Sequence, residues 1–201
     1  MSIAIFITLP FLGIAQKQDT IPLSQILEEV QITGVNAGEK TPVSYTNISE
    51  SEIEKVNLGK DLPYLISLTP SVVSSSDAGA GIGYTYMTIR GSDASRINVT
   101  INGIPLNDAE SQGVWWVNMP DFSSSVSNIQ IQRGVGTSTN GGSAFGASVN
   151  LNTNRLRSKK YVTLNNSVGS FNSLKNNIEF GTGLLNGKWA FDGRLSSITS
   201  D

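Results

Sequence analysis

Apolar and polar residues alternate in short runs along much of the chain, a pattern that predicts β-strands rather than long helices. Three such runs each end at a turn that contains glycine: residues 87–91, 99–103 and 129–134. A glycine-rich crossing follows the third run, and a further alternating strand covers residues 148–153. Glycine permits positive φ and close backbone approach, so we expect the crossing to turn tightly against a packed neighbour.

Two short helices are predicted before these strands. Ser49 and Glu52 fit an S-x-x-E capping box, which predicts that a helix begins directly after Ser49. A second helix is predicted over residues 60–69, because Pro70 ends it and apolar residues recur at helical spacing. Residues 72–83 show no periodicity and predict a flexible loop, and residues 107–118 predict a second long loop.

The C-terminal residues alternate with a different composition. Strand patterns over residues 161–168, 174–180 and 189–196 place apolar side chains on one face and polar or charged ones on the other. Turns are predicted at residues 169–172 and at residues 186–188, where Asn-Gly is a strong hairpin signal. One apolar and one polar face is typical of transmembrane β-barrel strands, although a soluble meander shows the same alternation. Trp and Phe on the apolar face favour lipid.

The N-terminus has the outline of an export signal. Residues 3–14 are apolar, and a small-x-small pattern predicts cleavage after Ala15. The run is too short to span a bilayer, which takes about 20 residues. No Lys or Arg precedes it, which leaves open a start further upstream, and a buried N-terminal strand is the alternative interpretation.

Composition excludes several classes of function. The 14 basic and 16 acidic residues give a net charge of −2, which offers no electrostatic basis for binding nucleic acid. The chain contains neither Cys nor His, so it lacks a thiol nucleophile, disulfides, Fe–S ligands and the usual general base and zinc ligand. A hydrolase would need a Ser–Lys pair, and no lysine stands in a recognisable context. We therefore assign no catalytic residue, metal or cofactor, and expect no enzyme.

The order of the Arg-Gly, Asn-Gly and glycine-crossing motifs resembles the plug domain of TonB-dependent outer-membrane receptors, which import scarce nutrients into Gram-negative bacteria. Residues 61–73 are similar to the plug helix that precedes "TPGV" in many members, with Ser71 in place of that Gly. Ala147 likewise stands for the second Gly of a Gly-Gly pair. The resemblance implies an α+β plug domain, a small mixed sheet with short helices. The first antiparallel strands of a transmembrane β-barrel follow, 22-stranded in the family and incomplete here.

The resemblance also implies the domain organisation. Residues 1–15 form the signal peptide, residues 16–40 a periplasmic leader, residues 41–156 the plug, and residues 157–201 the first strands of the outer-membrane barrel. Three strands cannot close, because an open edge in lipid leaves backbone groups unsatisfied. We therefore expect the chain to be the N-terminal part of a longer receptor.

Within the leader, residues 26–34 resemble the TonB box, the periplasmic coupling peptide of the family. A strand isolated between loose segments suits pairing with another protein's sheet edge, and an ordinary first strand of the domain is the alternative. The coupling residues are Glu28, Glu29, Val30, Gln31, Ile32 and Thr33.

Two arginines and five glycines receive structural roles from the resemblance. Arg90 and Arg133 would pair with glutamates of the barrel wall and hold the plug in place; exposed surface arginines are the alternative. The structural glycines are Gly91, Gly103, Gly134, Gly142 and Gly146.

Two loops are expected to face the ligand on the extracellular side, residues 74–86 and 106–118. Aromatic side chains there could stack on a flat or chelated ligand, and packing against the barrel interior is the alternative. Because side chains alternate along extended backbone, Trp115 and Trp116 cannot both face one core. The candidate ligand-facing residues are Tyr84, Tyr86, Asn107, Asp108, Trp115 and Trp116.

The function implied is ligand-gated import that is driven by the proton-motive force through TonB and remodels the plug. A ferric siderophore is the preferred ligand. The partners implied are TonB, the outer membrane and a small iron chelate. An outer-membrane adhesin or secretion-pore component without TonB coupling is the alternative.

Overall fold

The computed structural model describes residues 36–38, 40–136, 140 and 144–201, which fall within the unit Ile32–Asp201. The predictions for the export signal, for residues 28–33 and for Gly142 lie outside these residues. The described strands are β1 (Ser44–Ser49), β2 (Val72–Ser76), β3 (Thr85–Ile89), β4 (Ile97–Ile101), β5 (Ile104–Pro105), β6 (Asn128–Arg133), β7 (Ala147–Asn152), β8 (Tyr161–Val168), β9 (Leu174–Gly181) and β10 (Asp192–Thr199). The helices are α1 (Glu50–Val56) and α2 (Leu62–Leu65), with 3₁₀ turns at Ala94–Arg96, Trp116–Asn118 and Phe122–Ser125.

A five-stranded mixed sheet with the order β1–β6–β7–β4–β5 forms the first part of the fold. Its neighbouring strands are antiparallel except for β4 and β7, which are parallel. The central strands are buried on both faces. Alternate residues such as Ile129 and Val149 belong to the hydrophobic core with residues of both helices, whereas Gln130 and Asn150 lie on a buried polar face. The prediction of a small mixed sheet with short helices is confirmed.

Helix α1 begins where the capping box predicts. The carboxylate of Glu52 accepts hydrogen bonds from the Ser49 backbone N–H at 2.8 Å and from its hydroxyl at 2.7 Å. These bonds satisfy donors that a helix N-terminus otherwise leaves free. Ile53 is the buried residue of this helix and joins it to the core.

Helix α2 is shorter than predicted. It ends at Leu65 and gives way to turns closed by the Ser67 N–H on Tyr64 O and the Thr69 N–H on Ile66 O. The Ser67 hydroxyl also donates to Tyr64 O at 2.7 Å, and such bonds compete with the helical pattern. Leu68, which the helical pattern included, is 86% exposed.

The prediction of a flexible loop from residue 72 is wrong. Residues 72–76 form β2, which pairs antiparallel with β3. Three serines give this segment little intrinsic strand preference, but Val72 is buried and the Ser74 hydroxyl donates to Pro63 O at 2.5 Å. Tertiary contacts therefore decide the strand, and the loop is confined to residues 77–84.

The C-terminal residues form a separate antiparallel sheet with the order β10–β9–β8, as the alternation predicts. The alternation predicts that Trp189 and Phe191 belong to the last strand, but this strand begins at Asp192. They lie in the connection from β9, where an isolated bridge joins Leu185 to Trp189 around the predicted Asn-Gly turn.

The polar face of this sheet turns inward and its apolar face outward. Lys175, Asn177 and Glu179 on β9 are 3%, 3% and 8% exposed. On the opposite face, Leu164 on β8 is 67% exposed and Leu195 on β10 is 69% exposed. This arrangement is the reverse of a soluble sheet, which hides its apolar face. No helix in the described part of the chain is long and apolar enough to cross a bilayer.

Candidate ligand-facing loops and plug anchor

The glycine-containing turns owe their residues to two different constraints. Arg90 and Gly91 have φ of +53° and +74°, and Asn102 and Gly103 have φ of +51° and +84°, as in the tight turns that favour Gly and Asn. Gly146 has no positive φ. A Cβ at this position would lie 2.3 Å from the Ser92 Cβ, so close approach of the backbone is what requires glycine here.

Arg90 and Arg133 both lie against residues 70–71. The Arg90 backbone N–H donates to Ser71 O at 2.9 Å, and the Arg133 guanidinium contacts Pro70 O at 3.5 Å and donates to Ser44 Oγ at 2.9 Å. Neither arginine forms a salt bridge with a carboxylate within the described residues.

The β2–β3 hairpin presents two of the predicted ligand-facing residues. Tyr84 is 54% exposed and Tyr86 is 40% exposed. The Tyr86 hydroxyl donates to Asp77 Oδ2 at 3.2 Å. Partial burial is the main cause that raises the pKa of the Tyr86 phenol, and this hydrogen bond is the second. The phenol therefore stays protonated at neutral pH.

In the second predicted loop, the side chains of Asn107 and Asp108 form hydrogen bonds to backbone groups of the loop and of strand β4. Asn107 Oδ1 accepts from the Val99 N–H at 2.8 Å, while Nδ2 donates to Ile97 O at 2.9 Å and to Gln112 O at 2.8 Å. Asp108 accepts from the Ser111 N–H at 2.7 Å and from the Ser111 hydroxyl at 2.9 Å, and these bonds lower its pKa. Both side chains therefore fix the shape of the loop.

The two tryptophans of this loop point in different directions. Trp116 is 4% exposed and belongs to the hydrophobic core, which removes it from the ligand-facing set. Trp115 is 46% exposed. Trp116 and Val114 line one small cavity together with Tyr86 of the hairpin. The two predicted loops therefore meet, and the exposed aromatic residues that remain are Tyr84, Tyr86 and Trp115.

Asp121 is an interaction site that the sequence analysis missed. Its side chain is 2% exposed, and its carboxylate accepts from Lys175 Nζ at 2.6 Å and from Arg194 at 2.9 Å. It also accepts from Asn177 Nδ2 at 3.1 Å, and from the hydroxyls of Ser124 and Ser196. We call these six residues the Asp121 anchor, because they join the plug to β9 and β10.

The charge on Asp121 is stabilised by the partners around it. Burial alone would raise the pKa of Asp121, but the hydrogen bonds from Lys175, Ser124 and Ser196 outweigh it and hold the pKa below its usual range. The backbone of Asp121 has φ of +52°, a conformation uncommon outside glycine that Asp tolerates better than most residues. No sequence motif marks the site.

A second ionic cluster joins α1 to β9 through the connection after β7. Arg155 lies 3.3 Å from Glu50 and 3.5 Å from Glu179, and Arg157 lies 2.7 Å from Glu50. Arg155 also donates to Val126 O at 2.8 Å. The described residues contain no group of His, Cys, Asp and Glu that could hold a metal ion.

The fold is similar to part of several solved outer-membrane receptors. FpvA of Pseudomonas aeruginosa, bound to heterologous pyoverdines, matches with a TM-score of 0.62 and 15% identity over 80% of this chain and 21% of that chain. The alcaligin receptor FauA from Bordetella pertussis matches with a TM-score of 0.60 and 19% identity over 81% of this chain and 27% of that chain. The ferric yersiniabactin uptake receptor FyuA from Yersinia pestis matches with a TM-score of 0.57 and 15% identity over 77% of this chain and 24% of that chain. The chain spans about a quarter of the length of these receptors.

Sequence comparison gives the family. A search of curated proteins finds no match to the sequence of this chain. The family model described as the TonB-dependent receptor plug domain matches residues 37–148, which are 112 of the 201 residues. The matched region contains β1 to β6, the two helices and the glycine crossing, and it ends at the start of β7. The chain therefore belongs to the TonB-dependent receptor family, with its plug domain followed by antiparallel strands.

Proposed function

We propose that the chain forms the plug and the first barrel strands of a TonB-dependent outer-membrane importer. The observation that carries the proposal is the orientation of the sheet β8–β10. Plug residues pair with its polar face through the Asp121 anchor, and its other face exposes Val162, Leu164 and Leu195. Such an apolar face is unfavourable in water, but it is what a bilayer requires of a barrel wall.

We propose further that the ligand is a ferric siderophore. The similar structures are described as receptors or complexes for alcaligin, pyoverdine and ferric yersiniabactin, and these names support the class. On this chain, Tyr84, Tyr86 and Trp115 are exposed on two loops that meet, which suits stacking on a planar chelate.

Growth of a strain that lacks the complete receptor gene tests this function. The strain is supplied with a panel of ferric siderophores, haem, cobalamin and glycans, with excess inorganic iron as the control for general fitness. We expect growth to fail on at least one ferric siderophore and to return with the intact gene. A defect confined to a glycan would contradict the siderophore assignment.

Energy coupling is assigned to the leader residues 28–33. Ligand binding can promote TonB engagement only if the ligand binds the released state of this segment more tightly than the docked state. Alternation in the segment suits addition of a strand to a sheet of TonB.

Proline at position 30 tests this coupling. Val30→Pro removes a backbone donor from the added strand, so we expect uptake to be lost while ligand still binds at the cell surface. Gln18→Pro, in the same leader outside the coupling residues, serves as the control and should transport normally. Unchanged uptake by Val30→Pro would refute the assignment.

Arg90 and Arg133 are proposed to pair with glutamates in the rest of the barrel. The proposal is supported by the fact that neither guanidinium group has a carboxylate partner among the described residues. A bidentate pair with a glutamate would bind the plug strongly and in a defined orientation. We expect Arg133→Ala to increase the entry of large antibiotics through the pore. Arg96→Ala, at an exposed arginine, is the control, and equal leakage from both variants would argue against the role.

A further inference from the structure

The side chain of Gln130 holds Ala37, which lies in the predicted leader (residues 16–40) and is also the first residue that the plug model matches. Gln130 lies on β6 and is 2% exposed. Its Oε1 accepts from the Ala37 backbone N–H at 2.6 Å, and its Nε2 donates to the Ala37 carbonyl at 3.0 Å. One carboxamide thus binds both backbone groups of one leader residue, as a neighbouring strand would.

The same carboxamide uses all of its remaining hydrogen-bonding capacity inside the sheet. Nε2 donates a second bond to Asn47 Oδ1 on β1 at 2.8 Å, and Oε1 accepts a second bond from Gln132 Nε2 at 2.9 Å. A primary amide has two donors and two lone pairs, so Gln130 is fully paired. Because Ala37 is itself 5% exposed, water does not replace these bonds while the leader is docked.

The amide contacts continue from Gln130 to the glycine crossing. Gln132 Oε1 accepts from Asn140 Nδ2 at 2.9 Å. Gly136, with φ of +58°, packs on this contact, since a Cβ there would lie 3.1 Å from Asn140 Nδ2 and 3.3 Å from Gln132 Oε1. The leader, β6 and the crossing are therefore joined through consecutive side-chain amides on the polar face of the sheet.

We propose that Gln130 is a latch that keeps the leader against the plug, and that opening it lets the coupling residues reach further from the plug. Ala37 follows Thr33, the last coupling residue, by four positions, which is about 14 Å of extended chain. Whether Ala37 is held therefore sets the reach of residues 28–33. The latch rests on the contacts above, and its effect on TonB rests on the proposed function.

A spin label at residue 38 of the complete receptor tests the latch. The 201 residues contain no Cys, and a Cβ at Gly38 would meet nothing within 4 Å, so Gly38→Cys provides a tolerated label position. With Gln130 intact we expect an immobilised spectrum. Gln130→Leu removes both bonds to Ala37, and the ratio of mobile to immobile label should rise about 10-fold.

Two further variants separate the latch from general damage to the plug. Asn102→Gly removes another paired amide contact, with Thr153, at a position where φ of +51° suits glycine, and the label should stay immobile. Ala37→Pro removes the donor from the leader side and leaves the sheet untouched, so it decides the question if Gln130→Leu does not assemble. An immobile label in either assembled latch variant would overturn the proposal.

Capture of the periplasmic domain of TonB, with and without ferric siderophore, tests the consequence. The intact receptor should require the ligand, whereas Gln130→Leu should capture TonB without it. If the label is released but capture still requires the ligand, the latch does not control coupling and this part of the proposal is overturned. If the intact receptor never captures TonB, the proposed function fails, while the label spectra still decide whether Gln130 holds the leader.

Discussion

Gly146 shows how one glycine can serve packing rather than backbone conformation. Its N–H donates to Arg96 O at 2.9 Å, and its carbonyl accepts from the Gly134 N–H at 2.8 Å, so three chain segments meet at this position. Gly134, in contrast, has φ of +103°. The sequence marks both residues as turn glycines and cannot separate these causes, because the close neighbour Ser92 is distant along the chain.

A double substitution tests the packing role of Gly146. Gly146→Ala should lower the free energy of unfolding of the plug by about 1–3 kcal/mol, because its Cβ would overlap Ser92. Ser92→Gly removes the overlapping side chain and should restore most of the loss. Gly91→Ala, whose Cβ meets nothing within 4 Å, should show no such rescue. The measurement is the urea concentration at which the plug of the complete receptor becomes protease-sensitive, and failure of the rescue would contradict the packing explanation.

At the same scale, alternation predicts that Trp115 and Trp116 diverge, but it cannot say which of them is buried. The choice depends on Val114 and Met87, which line the cavity beside Trp116. Asn107 and Asp108 illustrate the same limit. Polar residues in a loop are equally compatible with ligand contact and with holding the loop itself, and only the hydrogen-bond partners distinguish the two.

Among the elements, alternation predicts the two faces of strand β9 correctly but does not predict which residues its polar face contacts. The period of two places Lys175, Asn177 and Glu179 together. Two of these side chains, Lys175 and Asn177, bind Asp121. Alternation cannot predict this contact, because Asp121 and Asn177 are 56 residues apart in the sequence. The length of α2 and the presence of β2 differ from the prediction for a related reason, because tertiary contacts outweigh weak local preferences.

The Asp121 anchor predicts a large effect from a small chemical change. Asp121→Asn removes the negative charge and leaves Lys175, whose side chain is 3% exposed, buried without its ionic partner. We expect the plug to lose about 3–5 kcal/mol of stability, as when one partner of a buried ion pair is removed. Glu110→Gln changes an exposed carboxylate and is the matched control. Protease release of the plug from the complete receptor measures the effect, and similar release from both variants would contradict it.

The pH dependence of the same assay provides a second check on the anchor. The pKa of Asp121 is lowered in the folded protein, so its contribution is complete above the unfolded value of about 4 and is lost as pH falls through the lowered pKa. Protection that depends on Asp121 should therefore stay constant from pH 7 to pH 5 and decline only in stronger acid. A decline that begins near neutral pH would show that another group controls retention.

For the whole molecule, the inverted sheet β8–β10 is the feature that supports the proposed membrane environment. The alternation of residues already indicated strands with two unlike faces, and it left the soluble meander open as an alternative. The burial pattern supports the proposed barrel strands, because the plug covers the polar side chains of β9 and leaves Leu164 and Leu195 exposed. The family and the fold were thus accessible from the order of motifs, whereas the ligand depends on loop contacts that alternation does not encode.

A charge on the outer face tests the proposed membrane orientation. Leu164→Arg should reduce the amount of receptor assembled in the outer membrane, because a cationic side chain facing lipid costs about 2–4 kcal/mol near the middle of the bilayer. Leu164→Ile keeps the face apolar and should assemble normally. Equal amounts of the two variants would contradict the assignment of this face to lipid.

The position of β1 in the mixed sheet limits how the plug can open. Among the described strands, β1 lies at the edge and is hydrogen-bonded to β6 alone, whereas β6, β7 and β4 each have two neighbouring strands. Detachment of β1 therefore breaks one ladder and leaves a complete four-stranded sheet, β6–β7–β4–β5. The residue that follows β1 is Glu50, which Arg155 and Arg157 bind. The topology thus defines a unit of local unfolding that includes β1, removes Ile48 from the margin of the hydrophobic core and ends at this ionic cluster.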